Sequence, residues 1–248
     1  MKLDVIYNED CIEGMQKYIP NNSIDLIITD PPYGISKKGK FEIPEKRYKR
    51  IYEKWDTDIE DITRRSIKEC YRVLKEGSCI YVFASFHNLR LVWDALENAG
   101  FIFRNNIVII KTNAMPIKFA MHIGVYAYSH VYVLYFSKGA VKTFNYKLMK
   151  EINGGKQMRD YKIITIKDRA SNKGKHKHPS IKDLSLIKSF IIASSKKGDV
   201  VLDPFLGSGT TAIGCAQLER HYIGFENKLE YYNLAQKSLS EVQTEIFT

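Results

Sequence analysis

Two strings in the chain hold residues suited to chemistry. Asp30-Pro31-Pro32-Tyr33 closes the apolar run Ile24-Asp25-Leu26-Ile27-Ile28-Thr29. A short Ile- and Leu-rich run ended by two prolines reads as a buried strand that stops abruptly. Neither proline can donate to a sheet ladder, and each holds the residue before it in an extended conformation. The outcome is a stiff loop at a strand's carboxyl end, where open α/β sheets bind ligands. That loop offers a carboxylate, backbone carbonyls with no N–H competitor nearby, and a flat ring. The set suits a planar base carrying an exocyclic amine. The plain alternative is a turn begun by Asp30 and stiffened by the prolines, with Tyr33 capping an edge of the core.

The second string follows Val200-Val201-Leu202 and runs from Asp203 through Pro204-Phe205-Leu206-Gly207-Ser208-Gly209-Thr210-Thr211. Strand, Gly207-x-Gly209-x-x-Ala212, helix, strand and acidic Glu226 make up a nucleotide-binding βαβ pattern. Its glycines permit a sharp turn, and the helix start presents free N–H groups. Glu226 lies 19 residues beyond Gly207, where a carboxylate can take both hydroxyls of a ribose. No lysine follows the last glycine, so this is not a Walker loop. The spacing also fits an NAD-binding oxidoreductase. Two features weigh against that reading: Asp203 would repel a pyrophosphate, and NAD chemistry has no use for Asp30-Pro31-Pro32-Tyr33.

Positioning both strings takes a sheet, and the apolar periodicity supplies its strands. Strands are predicted at 3–7, 24–29, 78–84, 101–110 (with Ile107 to Ile110 its buried part), 131–136, 200–203 and 222–225, with a possible short one at 163–166. Helices are predicted near 11–18, 59–74, 87–98, 181–194, 210–219 and 229–239, the second ended by Lys75-Glu76-Gly77. As a structural role, Asp10 fits a helix N-cap.

The net charge is +10 and unevenly placed. Residues 37–54 hold eight Lys/Arg against three Glu, and residues 138–177 hold twelve against three acids. Outside them the chain is net acidic, which favours a polyanion partner, most simply nucleic acid. Phe41, Tyr48, Tyr52 and Trp55 in the long segment 34–57 either stack on bases or pin that segment to the body. Cys11, Cys70, Cys79 and Cys215 are scattered without a C-x-x-C pair. A reduced, cytoplasmic protein without metal is therefore expected, and His176 and His178 read as loop histidines. No signal peptide and no apolar run of membrane-spanning length is seen.

The two strings, in this order, resemble the S-adenosylmethionine-dependent DNA amino-methyltransferases (adenine-N6 and cytosine-N4) of the permuted β group. In that family D-P-P-Y precedes the target-recognition region and D-P-F-x-G-S-G-T-T follows it. Asp30 to Tyr33 and Asp203 to Thr211 match position by position. Arg72-Val73-Leu74-Lys75-Glu76-Gly77 resembles the family's R-V-L-K-x-G. His178-Pro179-Ser180-Ile181-Lys182-Asp183 resembles H-P-T-Q-K-P, with Ser, Ile and Asp replacing Thr, Gln and Pro. The resemblance covers roughly 1–110 and 176–240.

The resemblance implies a doubly wound, mostly parallel seven-stranded methyltransferase sheet (α/β, Rossmann-like) in one domain over 1–248. A DNA-contacting loop is expected at 34–57 and a target-recognition insert at 138–177. The implied reaction is methyl transfer from S-adenosylmethionine to N6 of an adenine flipped out of double-stranded DNA, within restriction–modification. In this family Asp at the first motif position usually accompanies adenine and Ser cytosine, so cytosine N4 is the alternative target. The implied catalytic residues are Asp30, Pro31, Pro32 and Tyr33. The implied cofactor residues are Asp10, Cys11, His178, Ser180, Asp203, Phe205, Gly207, Ser208, Gly209, Thr210, Thr211, Glu226 and Asn227. A homodimer is compatible with the group. The ends of the strands at Asp30 and Asp203, 173 residues apart, are expected to lie side by side.

Overall fold

The apolar runs form strands, and the amphipathic stretches between them form helices. In chain order these are β1 (Val5–Tyr7), α1 (Cys11–Tyr18), β2 (Ile24–Thr29), α2 (Ile59–Val73), β3 (Leu74–Ala84), α3 (Leu89–Ala99), β4 (Ile102–Lys111), β5 (His130–Ser137), α4 (Tyr146–Ile152), β6 (Tyr161–Ile164), α5 (Leu184–Ser194), β7 (Val200–Asp203), α6 (Thr210–Gln217), β8 (His221–Phe225) and α7 (Leu229–Ile246). The structure is a computed structural model and describes residues 1–32, 59–113, 126–165 and 182–246. The whole of the expected 34–57 loop and the 166–177 part of the expected insert lie outside the described residues.

The strands make one sheet in the order β1-β8-β7-β2-β3-β5-β4-β6. All neighbours are parallel except β5, which runs antiparallel to both β3 and β4. Among the described residues the sheet has eight strands, against the expected seven. The eighth is β6, which adds to the outer edge of β4 in parallel, two residues earlier than the short run read at 163–166. Helices cover both faces, which is why β2 is apolar almost throughout rather than alternating. On one face Met15, Ile67 and Val92 of α1, α2 and α3 pack on Ile27, Ile80 and Phe225. On the other, Ile187, Ala212 and Ala235 of α5, α6 and α7 pack on Leu26, Tyr81 and Val201. Approach can be close: a Cβ on Gly14 of α1 would sit 2.2 Å from the Phe225 ring. The four cysteines are buried free thiols. Among the described residues no helix is long and apolar enough to cross a membrane.

Three details depart from the sequence reading. Gly77 does not close α2; the helix ends at Val73 and β3 starts at once. Gly77 instead sits inside β3 at φ +86°, where the pairing with β2 shifts register between Ile24 and Leu26. Its N–H donates to the Lys138 carbonyl at 2.6 Å. In β4 only Ile109 of the expected buried run is fully covered, because that strand lies one place from the sheet edge. And α4, a short helix with only Met149 buried, has no periodic signal in the sequence.

Polar groups brace the lower edge of the sheet. Asp25 accepts from Lys75 Nζ at 2.6 Å and from the Val200 N–H at 3.0 Å, joining β2 to β3 and to the start of β7. Lys138, counted above with the basic excess of 138–177, is only 8% exposed. Its ammonium donates to Asn22 Oδ1 at 2.7 Å and to the carbonyls of Tyr71 and Leu74 at 2.8 and 2.9 Å, and burial lowers its pKa. Its charge is structural. Lys138→Met should leave those acceptors without their donor and cost on the order of 3 kcal/mol in urea unfolding. A loss under about 0.5 kcal/mol, the ordinary effect of a surface substitution, would show that the ammonium is dispensable.

Candidate active site

β2 and β7 are direct neighbours, parallel, with Leu26 opposite Val201 and Ile27 opposite Leu202. Their carboxyl ends therefore emerge together. Asp203 ends β7, and Asp30 follows the last residue of β2. Asp30, Pro31 and Pro32 line one side of a cleft whose other side carries Asp203, Phe205, Gly207, Ser208, Thr210 and Thr211. The strand order reverses here: β2 leads outward to β3, while β7 leads the other way to β8. Such a switch point leaves a crevice above the sheet.

Asp203 is 6% exposed. The Phe205 N–H donates to its Oδ1 at 3.1 Å and the Thr211 hydroxyl to its Oδ2 at 2.6 Å. Burial pushes its pKa up to about 7; the two hydrogen bonds oppose that rise, and the charges of Asp30 and Glu226 add to it. The glycine turn beyond it follows from backbone demands. Gly207 and Gly209 have φ of +57° and +87°, a region that disfavours side chains. Gly209 caps α6, and a Cβ there would meet Ala235 of α7 at 3.0 Å. Gly209 shapes the turn but does not itself line the cleft.

Glu226 and Asn227 close the cleft from beyond β8, with Asp10 beside them. Glu226 accepts the Gly207 N–H at 3.0 Å on Oε2 and the Lys228 N–H at 2.9 Å on Oε1, so it ties the glycine turn to the end of β8. Burial raises its pKa. Asp10 is the N-cap of α1, its Oδ1 accepting the N–H groups of Ile12 and Glu13 at 2.9 and 3.2 Å. Cys11 faces the core instead of the cleft, and burial raises its thiol pKa well above the usual range. Tyr33, His178 and Ser180 lie outside the described residues.

The sequence reading passed over Ile62, Leu206, Lys228 and Tyr231, which also line the cleft, and Lys182. Lys182 Nζ lies 2.5 Å from Asp30 Oδ2, with both side chains about one-fifth exposed. The lysine of the H-P-T-Q-K-P-like string was the available signal. The replacement of that string's final Pro by Asp183 has a local reason: Asp183 is the N-cap of α5 and accepts the Leu186 N–H at 3.0 Å.

A carboxyl that titrates near 7 when folded makes stability depend on pH. Between about pH 4 and 7 the unfolded Asp203 has shed a proton that the folded one keeps, so stability falls as pH rises through that window. The full cost, a few kcal/mol by order of magnitude, is present above pH 7 and absent below pH 4. Asp203→Asn should remove it: the ligand-free variant should melt above wild type at pH 8 and level with it near pH 4. An unchanged difference across that range would refute the buried-carboxyl argument.

Comparison with known proteins bears on the whole cleft. A type II methyltransferase of Haemophilus influenzae, M.HinfI, is 36% identical over 253 residues, covering 97% of this chain and 69% of its own length. The type II methyltransferase M2.LlaDCHI of Lactococcus lactis subsp. cremoris is 34% identical over 248 residues, with 97% and 90% covered. Among solved structures, the M1.HpyAVI complex with S-adenosylmethionine superposes with a TM-score of 0.68 at 28% identity, over 94% of this chain and 98% of that one. The PvuII DNA methyltransferase, cytosine-N4-specific, shares the fold with a TM-score of 0.74 at 19% identity, over 97% and 91%. Residues 24–237 match the DNA methylase profile N6_N4_Mtase, and with these relatives the match shows that the chain belongs to the N6/N4 DNA methylase family.

Proposed function

We propose that this DNA methyltransferase acts on N6 of an adenine flipped out of duplex DNA, with S-adenosylmethionine as the donor. The observation that carries the reading is the adjacency of β2 and β7, which sets Asp30-Pro31-Pro32 beside Asp203 and the glycine turn. The donor set fits the cofactor. The molecule needs a carboxylate for a cationic amino group, acceptors for a ribose diol and apolar walls for a purine. Asp203 supplies the first. Glu226 holds one backbone N–H on each oxygen and keeps lone pairs for the second. Ile62, Phe205 and Tyr231 supply the third, with Asp10 at the purine end; Cys11, turned into the core, does not reach it.

When bound, S-adenosylmethionine supplies an electrophilic methyl on a sulfonium, and the C–S electron pair leaves with sulfur. The rest falls to the chain. An exocyclic amine is a poor nucleophile because its lone pair is delocalised into the ring. Asp30 and the Pro31 carbonyl accept its two N–H bonds, which favours a pyramidal nitrogen and frees the lone pair for the new N–C bond. Positive charge develops on that nitrogen, and a fixed carboxylate stabilises it where it forms. The methylated, positively charged nitrogen then gives up one proton to solvent, so Asp30 need not take it before transfer. Flipping costs a few kcal/mol, and stacking on Tyr33 offsets about 1–3 of them. Residues 34–57 and 138–177 serve the duplex; in the latter Lys147, Lys150, Lys156 and Arg159 are exposed cations suited to phosphates. Support for adenine over cytosine is the carboxylate of Asp30 where the cytosine enzymes usually carry Ser.

Transfer of labelled methyl to duplex DNA, followed by nucleoside mass analysis, should yield N6-methyladenine; N4-methylcytosine alone would overturn the choice of base. Asp30→Ala should lower turnover by about 100-fold or more with cofactor affinity retained. Equal loss of both would mean misfolding. Asp203→Asn should weaken cofactor binding about tenfold or more. In wild type that affinity should rise as pH passes through about 7, where Asp203 ionises, and the variant should lack the rise. Titration with NAD should give no signal.

A further inference from the structure

We infer that Lys182 is a positioning residue for the reaction: its ammonium fixes the Asp30 carboxylate in place before a target base arrives. The inference rests on the acceptor role proposed above for Asp30. A carboxylate on a short side chain turns about its Cβ–Cγ bond, and each orientation presents a different lone pair to an incoming amine. An ammonium 2.5 Å from Oδ2 removes that freedom. Charge-assisted pairs of this kind are the strong ones, and both partners are largely shielded from water.

Lys182 is itself held from several directions. Its ammonium stands 4.8 Å from the centre of the Phe83 ring, a contact that draws a cation to the aromatic face. Phe83 is buried near the end of β3, next to the strand that delivers Asp30. On the chain side, Asp183 caps α5 immediately after Lys182, through the Leu186 N–H and the Ser185 hydroxyl. α5 is fixed in turn by Phe190, stacked on Tyr81 at 4.6 Å between ring centres, and by the Tyr81 hydroxyl bonded to Ser194 at 2.7 Å. The lysine therefore reaches Asp30 from a rigid element, which is what preorganisation of a reacting group demands.

Electrostatics points the same way. Asp30, Asp203 and Glu226 all line this cleft, and the charge of Asp30 is one of the causes that raise the pKa of Asp203. A cation placed on Asp30 offsets the repulsion between that carboxylate and its like-charged neighbours. An ion pair that merely fastened α5 to β2 would have no bearing on the chemical step.

The test is steady-state and single-turnover methylation by Lys182→Met and Lys182→Arg, with Asp30→Ala measured in parallel. Lys182→Met is expected to lower kcat by about 100-fold, the loss that a misplacement of about 1 Å produces. KM for DNA and cofactor affinity should stay at wild-type values. Lys182→Arg should recover part of the rate. If Lys182→Met is insoluble, Lys182→Gln carries the same comparison. Wild-type kcat in the uncharged variant, or a lowered melting temperature with kcat unchanged, would overturn the inference and leave the pair structural. Turnover surviving in Asp30→Ala would instead overturn the acceptor role of Asp30 itself, so the two failures are distinguishable.

Discussion

The hydrogen-bonded pairing of β2 with β7 is the constraint on which the rest of this structure depends. It joins segments 173 residues apart and sets two carboxylates, Asp30 and Asp203, at the ends of neighbouring parallel strands. The strands between them in sequence, β3, β4, β5 and β6, all extend the sheet outward from β2, while β8 and β1, from beyond the two segments, extend it from β7. Asp25 secures the arrangement from below by accepting from the first amide of β7 and from Lys75 at once. A slip of one residue in either strand would turn its apolar side chains to the opposite face and separate the two motifs.

The cleft above that pairing concentrates charge that the fold does not want. Asp203 is buried as an acid that titrates near neutrality, and Glu226 is shifted in the same direction for the same reason, loss of water. Each is restrained by backbone donors, and Asp203 also by the Thr211 hydroxyl. Such sites are poised for a ligand that brings positive charge, since binding relieves a desolvation that folding imposed. Across the cleft Asp30 is treated differently: it carries a lysine counterion. Two acids in one crevice thus have different environments, the pattern expected where one serves binding and the other the reacting group.

The basic charge divides between structure and surface. Lys138 is an internal strut between the end of β5, the end of α2 and the start of β3. Lys147, Lys150, Lys156 and Arg159 face solvent on and after α4, within the segment proposed to serve the duplex. Near the carboxyl edge of the sheet, Phe86, His87 and Tyr128 form a partly exposed aromatic group, Phe86 and Tyr128 stacked at 6.1 Å. This aromatic group shares the side of the sheet that bears Asp30, since β3 ends and β5 begins there.

The sequence by itself determined what short-range physics controls. Pro31 and Pro32 stop a strand wherever it lies, glycines at 207 and 209 permit positive φ, and apolar periodicity marks α1, α2 and α7 without regard to neighbours. The order of the two motifs also carried the family, because the residue types at 30–33 and 203–211 are the chemistry itself. What only the tertiary structure decided concerns partners distant in the chain. The sequence reading took Gly77 for a helix stop because it follows an amphipathic run; its true place, a register shift in β3, depends on β2 and on Lys138. Lys138 was counted with the basic excess, as surface charge usually is, and Lys182 had no partner beyond its place in the H-P-T-Q-K-P-like string. Their roles came from an asparagine and two carbonyls in one case and from Asp30, 152 residues earlier, in the other. Strand order and charge pairing are set by which surfaces meet after folding, and no local pattern of residues encodes that meeting.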